Sequence, residues 1–103
     1  MPSGVLGQSA PSATTNTTVY TVPASKVASF NVNIVNRGTS AATVRVAIAS
    51  TATPADAEWI EYDTSIPANG VLERTGIVAH AAERVVVYAS TANTSVNVYG
   101  YEE

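Results

Sequence analysis

The strongest constraint on the fold lies in residues 30–49, FNVNIVNRGTSAATVRVAIA, where apolar and polar residues alternate on either side of a polar interruption. Ala28, Phe30, Val32 and Ile34 point to one side of an extended chain, and Ser29, Asn31 and Asn33 to the other. Beyond the interruption Val44, Val46 and Ile48 alternate with Arg45, Ala47 and Ala49. Successive side chains of a strand project to opposite faces, so a period of two describes half-buried strands. A one-residue slip would bury the asparagines and expose Phe30, which ties the register to an opposing hydrophobic layer. The two arms are expected to form a hairpin through Asn36-Arg37-Gly38, where Asn and Gly tolerate positive φ. Such a hairpin, apolar on one face, requires a second sheet to cover it.

The rest of the chain continues the pattern. Residues 1–16, small and polar apart from Val5 and Leu6, read as a flexible arm with room for one short strand. Residues 17–22, TTVYTV, are β-branched and aromatic and are closed by Pro23. Residues 51–57 form a loop with at most one helical turn. In EWIEYD, residues 58–63, alternation places Ile60 and Tyr62 inward and Trp59 outward with Glu61 and Asp63. Asn69-Gly70 marks a tight turn, and Gly76 a bulge within the strand that follows. RVVVYA, residues 84–89, is apolar on both faces and belongs inside a sheet. In the last strand Val96 and Val98 face one way and Asn97, Tyr99 and Tyr101 the other. The expectation is an all-β, antiparallel β-sandwich of seven to eight strands, immunoglobulin-like or jelly-roll-like, with residues 17–103 as a single domain. Its core is expected to hold Phe30, Val32, Ile34, Val44, Val46, Ile48, Ile60, Val85 and Val87.

Composition narrows the chemistry. With 103 residues and no cysteine, the chain is one domain without disulfides or thiolate metal sites. No run approaches the length of a membrane span, and the N-terminus lacks the basic start and apolar run of a signal peptide, so a soluble protein without a membrane partner is expected. Five basic residues are too few for a nucleic-acid patch. The charge is unevenly divided: residues 1–55 contain Lys26, Arg37 and Arg45 and no acid, whereas residues 56–103 hold all eight acids against Arg74 and Arg84. That division suits a solvated surface with some internal pairing or, more sharply, complementary contact between copies of the chain.

No catalytic constellation emerges, and neither enzyme activity nor a cofactor is expected. Asp56, Glu58, Glu61 and Asp63 lack the calcium-loop spacing with its Gly, and strand geometry separates Glu58 from Glu61, so they read as a solvated edge. His80, the single histidine, reads as a loop residue, since one imidazole does not make a multi-histidine zinc site. No Gly-x-Ser-x-Gly elbow or phosphate-cradling Gly-rich loop is present. Trp59, Tyr62, Tyr99 and Tyr101 are candidates for an aromatic sugar platform, or else for core and subunit contacts.

The run TVYTVPASKVASFNVNIVNRGTSAATVRVAIA, then PADAEWIEYDTSIPANGVLERTGIVAHAAERVVVYA, then the ending VNVYGYEE, resembles a group of small tailed-phage virion proteins common in cyanophages and related phages. The similarity spans residues 5–103. It implies a non-enzymatic structural component of the virion, present in many copies and assembled in the host cytoplasm. Its implied partners are major capsid or tail proteins and further copies of itself. A capsid decoration or cement subunit leads; a tail or fibre subunit, or a carbohydrate-binding module for host surfaces, is the alternative. The chain departs from the resemblance where a Gly-containing turn is expected before ERVVVY and Ala79-His80-Ala81-Ala82 stands instead. In a homo-oligomer, Arg37 or Arg45 is expected to meet Glu58, Glu61 or Asp63 of a neighbour, with Trp59, Tyr99 and Tyr101 adding contact area, while the arm adds a strand to or wraps that neighbour.

Overall fold

The computed structural model describes residues 3–103, and residues 1 and 2 of the expected arm lie outside them. One four-stranded sheet runs in the order β1 (Ser3–Ser9), β8 (Thr94–Glu102), β3 (Val27–Asn36) and β6 (Val71–His80). The other runs β2 (Thr17–Thr21), β7 (Arg84–Ala89), β4 (Ala42–Ala49) and β5 (Trp59–Ile66). A single 3-10 turn, Asp56–Glu58, precedes β5. All pairings are antiparallel, and they nest: β1 with β8, β2 with β7, β3 with β6, β4 with β5. A long hairpin rolled over on itself produces this nesting, with β3–β8 and β4–β7 pairs joining the layers of the roll. This strand order is that of the jelly roll, not the immunoglobulin division of strands.

The topology corrects the hairpin reading of residues 30–49. β3 and β4 keep the expected alternation but lie in different sheets, and among the described residues β4–β5 is the only pairing between consecutive strands. The link between β3 and β4 therefore passes from one sheet to the other. Asn36 is no turn residue with positive φ; it ends β3 with its side chain buried. The arm carries the one strand it had room for: residues 3–9 pair with β8 at the edge of the sheet.

Phe30, Val32, Ile34, Val44, Val46, Val85 and Val87 are buried between the sheets as their alternation requires, and Ile48 and Ile60 pack partly buried against them. Tyr20, Val22, Ile66, Val96 and Val98 complete this core. β7 is interior, and its outward Val86 is buried under Trp59 with Ala47 and Ala49. Gly76 does mark a bulge: at φ 69° it falls where the register steps from Phe30–Ile77 to Val32–Arg74, and its N–H donates to Asn31 Oδ1 at 3.1 Å.

β5 breaks the expected alternation. Its register steps twice, pairing Trp59 with Ala47, Glu61 with Val46 and Thr64 with Val44, and Asp63 has φ 52° at the second step. Each bulge adds a residue and reverses the faces beyond it. Tyr62 is consequently exposed, not core, and Glu61 stands opposite an inward valine, not on the outer face.

The open sides of the sandwich are closed by specific contacts between sheets. At one side Arg74 of β6 reaches Glu61 of β5 at 2.5 Å, and Thr64 also donates to Glu61 at 2.7 Å. The Thr64 hydroxyl first, and then Arg74, hold the Glu61 carboxyl below its ordinary range. At the other side β1 crosses β2 at Gly7, where a Cβ would lie 2.4 Å from the Val19 carbonyl oxygen, so only glycine permits the approach.

Tyr20 and Glu102 meet from opposite sheets, both buried, and the phenol donates to Glu102 Oε2 at 2.5 Å. Burial foremost, then this hydrogen bond and the carboxylate charge, push the phenol well above its ordinary value. A proton held more tightly in the folded state stabilises fully below the unfolded value of about 10, and the stabilisation falls as pH rises past it by about 1.4 kcal/mol per pH unit. Urea midpoints followed from pH 8 to 12 are expected to show that decline, and Tyr20→Phe to remove one proton's share of its slope while lowering stability at neutral pH.

The β6–β7 turn explains the departure at Ala79-His80-Ala81-Ala82. Ala82 takes φ 71°, the conformation glycine adopts freely, while its N–H donates to the Val22 carbonyl at 3.0 Å. Ala82 is exposed. A left-handed alanine costs about 1–2 kcal/mol, partly offset by the greater unfolded freedom of glycine. Ala82→Gly is expected to stabilise by about 0.5–1 kcal/mol in a denaturant titration.

Candidate functional site

The functional surfaces of this sandwich are its two outer faces, which differ in chemistry. On the β1–β8–β3–β6 sheet, the register aligns Val5, Tyr99 and Asn31 in one row, and Tyr101, Ser29 and Val78 in the next. Val35 pairs with Val71 and Val27 with His80 toward the two ends. Five of the six large apolar residues exposed among the described residues, Val5, Val27, Val71, Val78 and Tyr101, lie on this face. Between them run uncharged side chains, Gln8 donating to Asn97 at 2.7 Å, with Asn31 and Asn33 alongside. Glu73 and His80 are its ionisable strand residues apart from the tyrosines, and Glu73 accepts the Tyr99 hydroxyl.

The β2–β7–β4–β5 face carries an aromatic cluster around a cation. The Arg45 guanidinium lies 4.2 Å from the Tyr62 ring centre and 4.5 Å from that of Tyr88. Asp63 accepts from its Nε at 2.6 Å, and Trp59 meets Tyr62 edge-to-face at 5.5 Å. Tyr88 lies in RVVVYA, whose apolar residues on both faces hide an outward ring among buried ones. Its alternation with Val85 and Val87 was the available signal that its ring faces outward.

Several residues expected at the contact between copies have partners within one chain. Arg45 is clamped by Asp63, and Glu61 by Arg74. Glu58 accepts from the backbone of Ala55 at 2.8 Å and of Ser50 at 3.1 Å, which holds its carboxyl below the ordinary range and braces the β4–β5 loop. Arg37 donates to Ser95 Oγ at 2.8 Å and reaches the Ala92 and Thr94 carbonyls. The acid-rich segment is thus largely spent on the fold. Among the described residues no three His, Cys, Asp or Glu side chains gather as a metal site. The four candidate platform aromatics are divided, with Trp59 and Tyr62 on one outer face and Tyr99 and Tyr101 on the other.

A shallow open depression beside β1 and β8 is lined by Gln8, Ser9, Ala10, Ser95, Val96 and Asn97, none of them ionisable. His80 sits at the exposed end of β6, its N–H bonded to Glu83 Oε1 at 2.9 Å, as part of the β6–β7 turn. Among the described residues no helix is long and apolar enough to cross a membrane. Comparison with protein-family models, with curated proteins and with solved structures finds no match to this chain.

Proposed function

We propose that this chain is a non-enzymatic structural subunit of a tailed-phage particle, a decoration or cement protein that seats the outer face of its β1–β8–β3–β6 sheet on a neighbouring shell protein. The observation that carries this reading is the concentration of Val5, Val27, Val71, Val78 and Tyr101 on one charge-poor face. Apolar surface left in water is unfavourable, and its covering by a partner is a driving force for association. The amide side chains between the valines supply hydrogen bonds that fix orientation. The sequence resemblance over residues 5–103 and the use of jelly rolls in viral capsids support the same reading. A cement subunit acts by mass action: it binds the assembled shell and not its separated parts, so binding opposes disassembly.

Val78 is two-thirds exposed at 66% and contributes little to the fold. Val78→Asp is therefore expected to leave the urea midpoint nearly unchanged while lowering occupancy on purified particles about tenfold, the loss that about 1.4 kcal/mol of contact energy represents. Cryo-electron microscopy of the particles supplies the location: many copies over the shell are expected. Copies confined to the tail would assign the chain to a tail or fibre, and absence from the particle would overturn the proposal.

The Trp59–Tyr62–Arg45–Tyr88 cluster favours a second reading, a host-surface carbohydrate module, because exposed rings stack on sugar faces. Glycan binding by the isolated protein that Trp59→Ala abolishes would establish it.

A further inference from the structure

We propose that β1 is an exchangeable strand, which leaves its own β8 and pairs in the same register with β8 of a second copy of this chain. The idea builds on the structural role above only in supposing that copies meet at high local concentration.

β1 differs from every other strand. It buries no residue fully, whereas each of the other seven buries at least one. Leu6 is its one side chain packed on the core. What holds β1 is the backbone ladder to β8, from Ser3–Tyr101 to Ser9–Val96, and the Gln8–Asn97 bond. Leu6 and, just beyond the strand, buried Pro11 are the apolar burial that opposes its departure, and the ladder is recovered in full on an identical acceptor.

The acceptor survives that departure. β8 stays in place through its long pairing with β3, from Ala28–Glu102 to Asn36–Thr94, and through buried Val96 and Val98. Without β1 its outer edge presents unpaired backbone donors and acceptors, a template for an added strand. The template is selective. A strand seated there crosses Val19 where only a glycine fits, and an apolar residue must precede that glycine to reach the core as Leu6 does. Ser3–Ser9 of another copy meets both conditions, which makes a second copy the occupant.

The linker is strained at one point. Residues 10–16 join β1 to β2 in the opposite sheet, anchored by buried Pro11 and by the Thr14 N–H, which donates to the Ala89 carbonyl at 2.8 Å, and Thr14 itself sits at φ 55°. A β-branched residue is strained there, and short strained hinges promote exchange. Fully extended, seven residues reach about 23 Å. Reciprocal exchange closes a dimer, and one-way exchange propagates from copy to copy or closes a ring.

Because the chain has no cysteine, introduced thiols report the pairing without interference. Gln8→Cys and N97C in one full-length chain place the two thiols on directly paired residues, and an intrachain disulfide is the positive control. The test mixes Gln8→Cys chains with N97C chains of different mass tag, incubates them concentrated below the melting temperature, and oxidises. A covalent mixed dimer well above that formed by Gln8→Cys with S65C, whose thiol lies on the opposite sheet, is expected. Equal yields would overturn the proposal. Native mass spectrometry of light and isotopically heavy unmodified chains gives an independent readout, where mixed dimers support exchange and exclusively monomeric chains oppose it. Thr14→Gly, which relieves the linker, is expected to slow exchange several-fold without lowering the urea midpoint; an unchanged rate would remove the linker from the mechanism. Exchange in solution by a chain absent from phage particles would refute the proposed function alone, and a particle protein that never exchanges would refute this inference alone.

Discussion

Phe30→Ala is expected to cost about 3–5 kcal/mol and to bring the protein close to unfolding, since a domain of this size has about 5–15 kcal/mol in total. Phe30 is the only phenylalanine in the chain, is buried at the centre of the core, and meets Tyr20 of the opposite sheet edge-to-face at 5.8 Å. Truncation removes the transfer free energy of the ring and leaves a cavity between two sheets whose strands are pinned on both sides. β3, which carries Phe30, pairs with β8 and β6 and has little freedom to collapse inward. Urea denaturation followed by circular dichroism measures the loss as a lowered midpoint at unchanged slope. Phe30→Leu, which keeps most of the volume, should recover more than half of it. A loss under about 1 kcal/mol for the alanine variant would mean that the sheets close over the site more freely than their pairings allow.

Asn36→Ala is expected to cost about 2–4 kcal/mol, far more than removal of an exposed asparagine. The Asn36 side chain is fully buried, and its amide donates to the carbonyls of Ser40 at 2.9 Å, Ile66 at 3.0 Å and Pro67 at 3.3 Å. Its oxygen accepts from the Gly38 N–H at 2.9 Å. One side chain thus ties the β3–β4 crossing to the β5–β6 turn, and its own N–H donates to the Gly70 carbonyl. Alanine leaves several of these buried groups unpaired, and each costs about 1–3 kcal/mol unless water reaches it. Asn33→Ala, on the outer face of the same strand, is expected within about 0.5 kcal/mol of the parent and serves as the control. Hydrogen exchange should locate the damage, with protection lost first at Gly38. Equal effects of the two substitutions would refute the assigned role.

The inward positions of β3, β4, β7 and β8 were legible in the sequence, as were the Gly76 bulge and the turn at Asn69-Gly70. Glu102 was legible in principle: extending Val96, Val98 and Gly100 by two residues points it inward, where it meets Tyr20. A carboxylate at a chain end reads as solvated, and only a buried hydroxyl from another strand makes the inward position tolerable. Tyr62 was not legible, because the bulge between Trp59 and Glu61 reverses its face and no glycine marks it. The charge pairs were half-legible. The sequence held cations and anions in separate halves, and the roll brought Arg45 to Asp63 and Arg74 to Glu61 within one chain.

Local order and partner choice thus have different origins. Alternation is a property of the extended backbone, which sends neighbouring side chains to opposite faces whatever lies beside it, so the sequence alone determined an all-β sandwich and most of its core. It carried no information about which strand lies beside which, since every valine-rich inner face is chemically alike. Rolling β3 and β4 into separate sheets, placing β1 on β8, and gathering the exposed valines on one outer face are decided by long-range pairing and sheet closure. Those contacts join residues distant in the chain, and their free energy exists only once both sheets are present to exclude water between them.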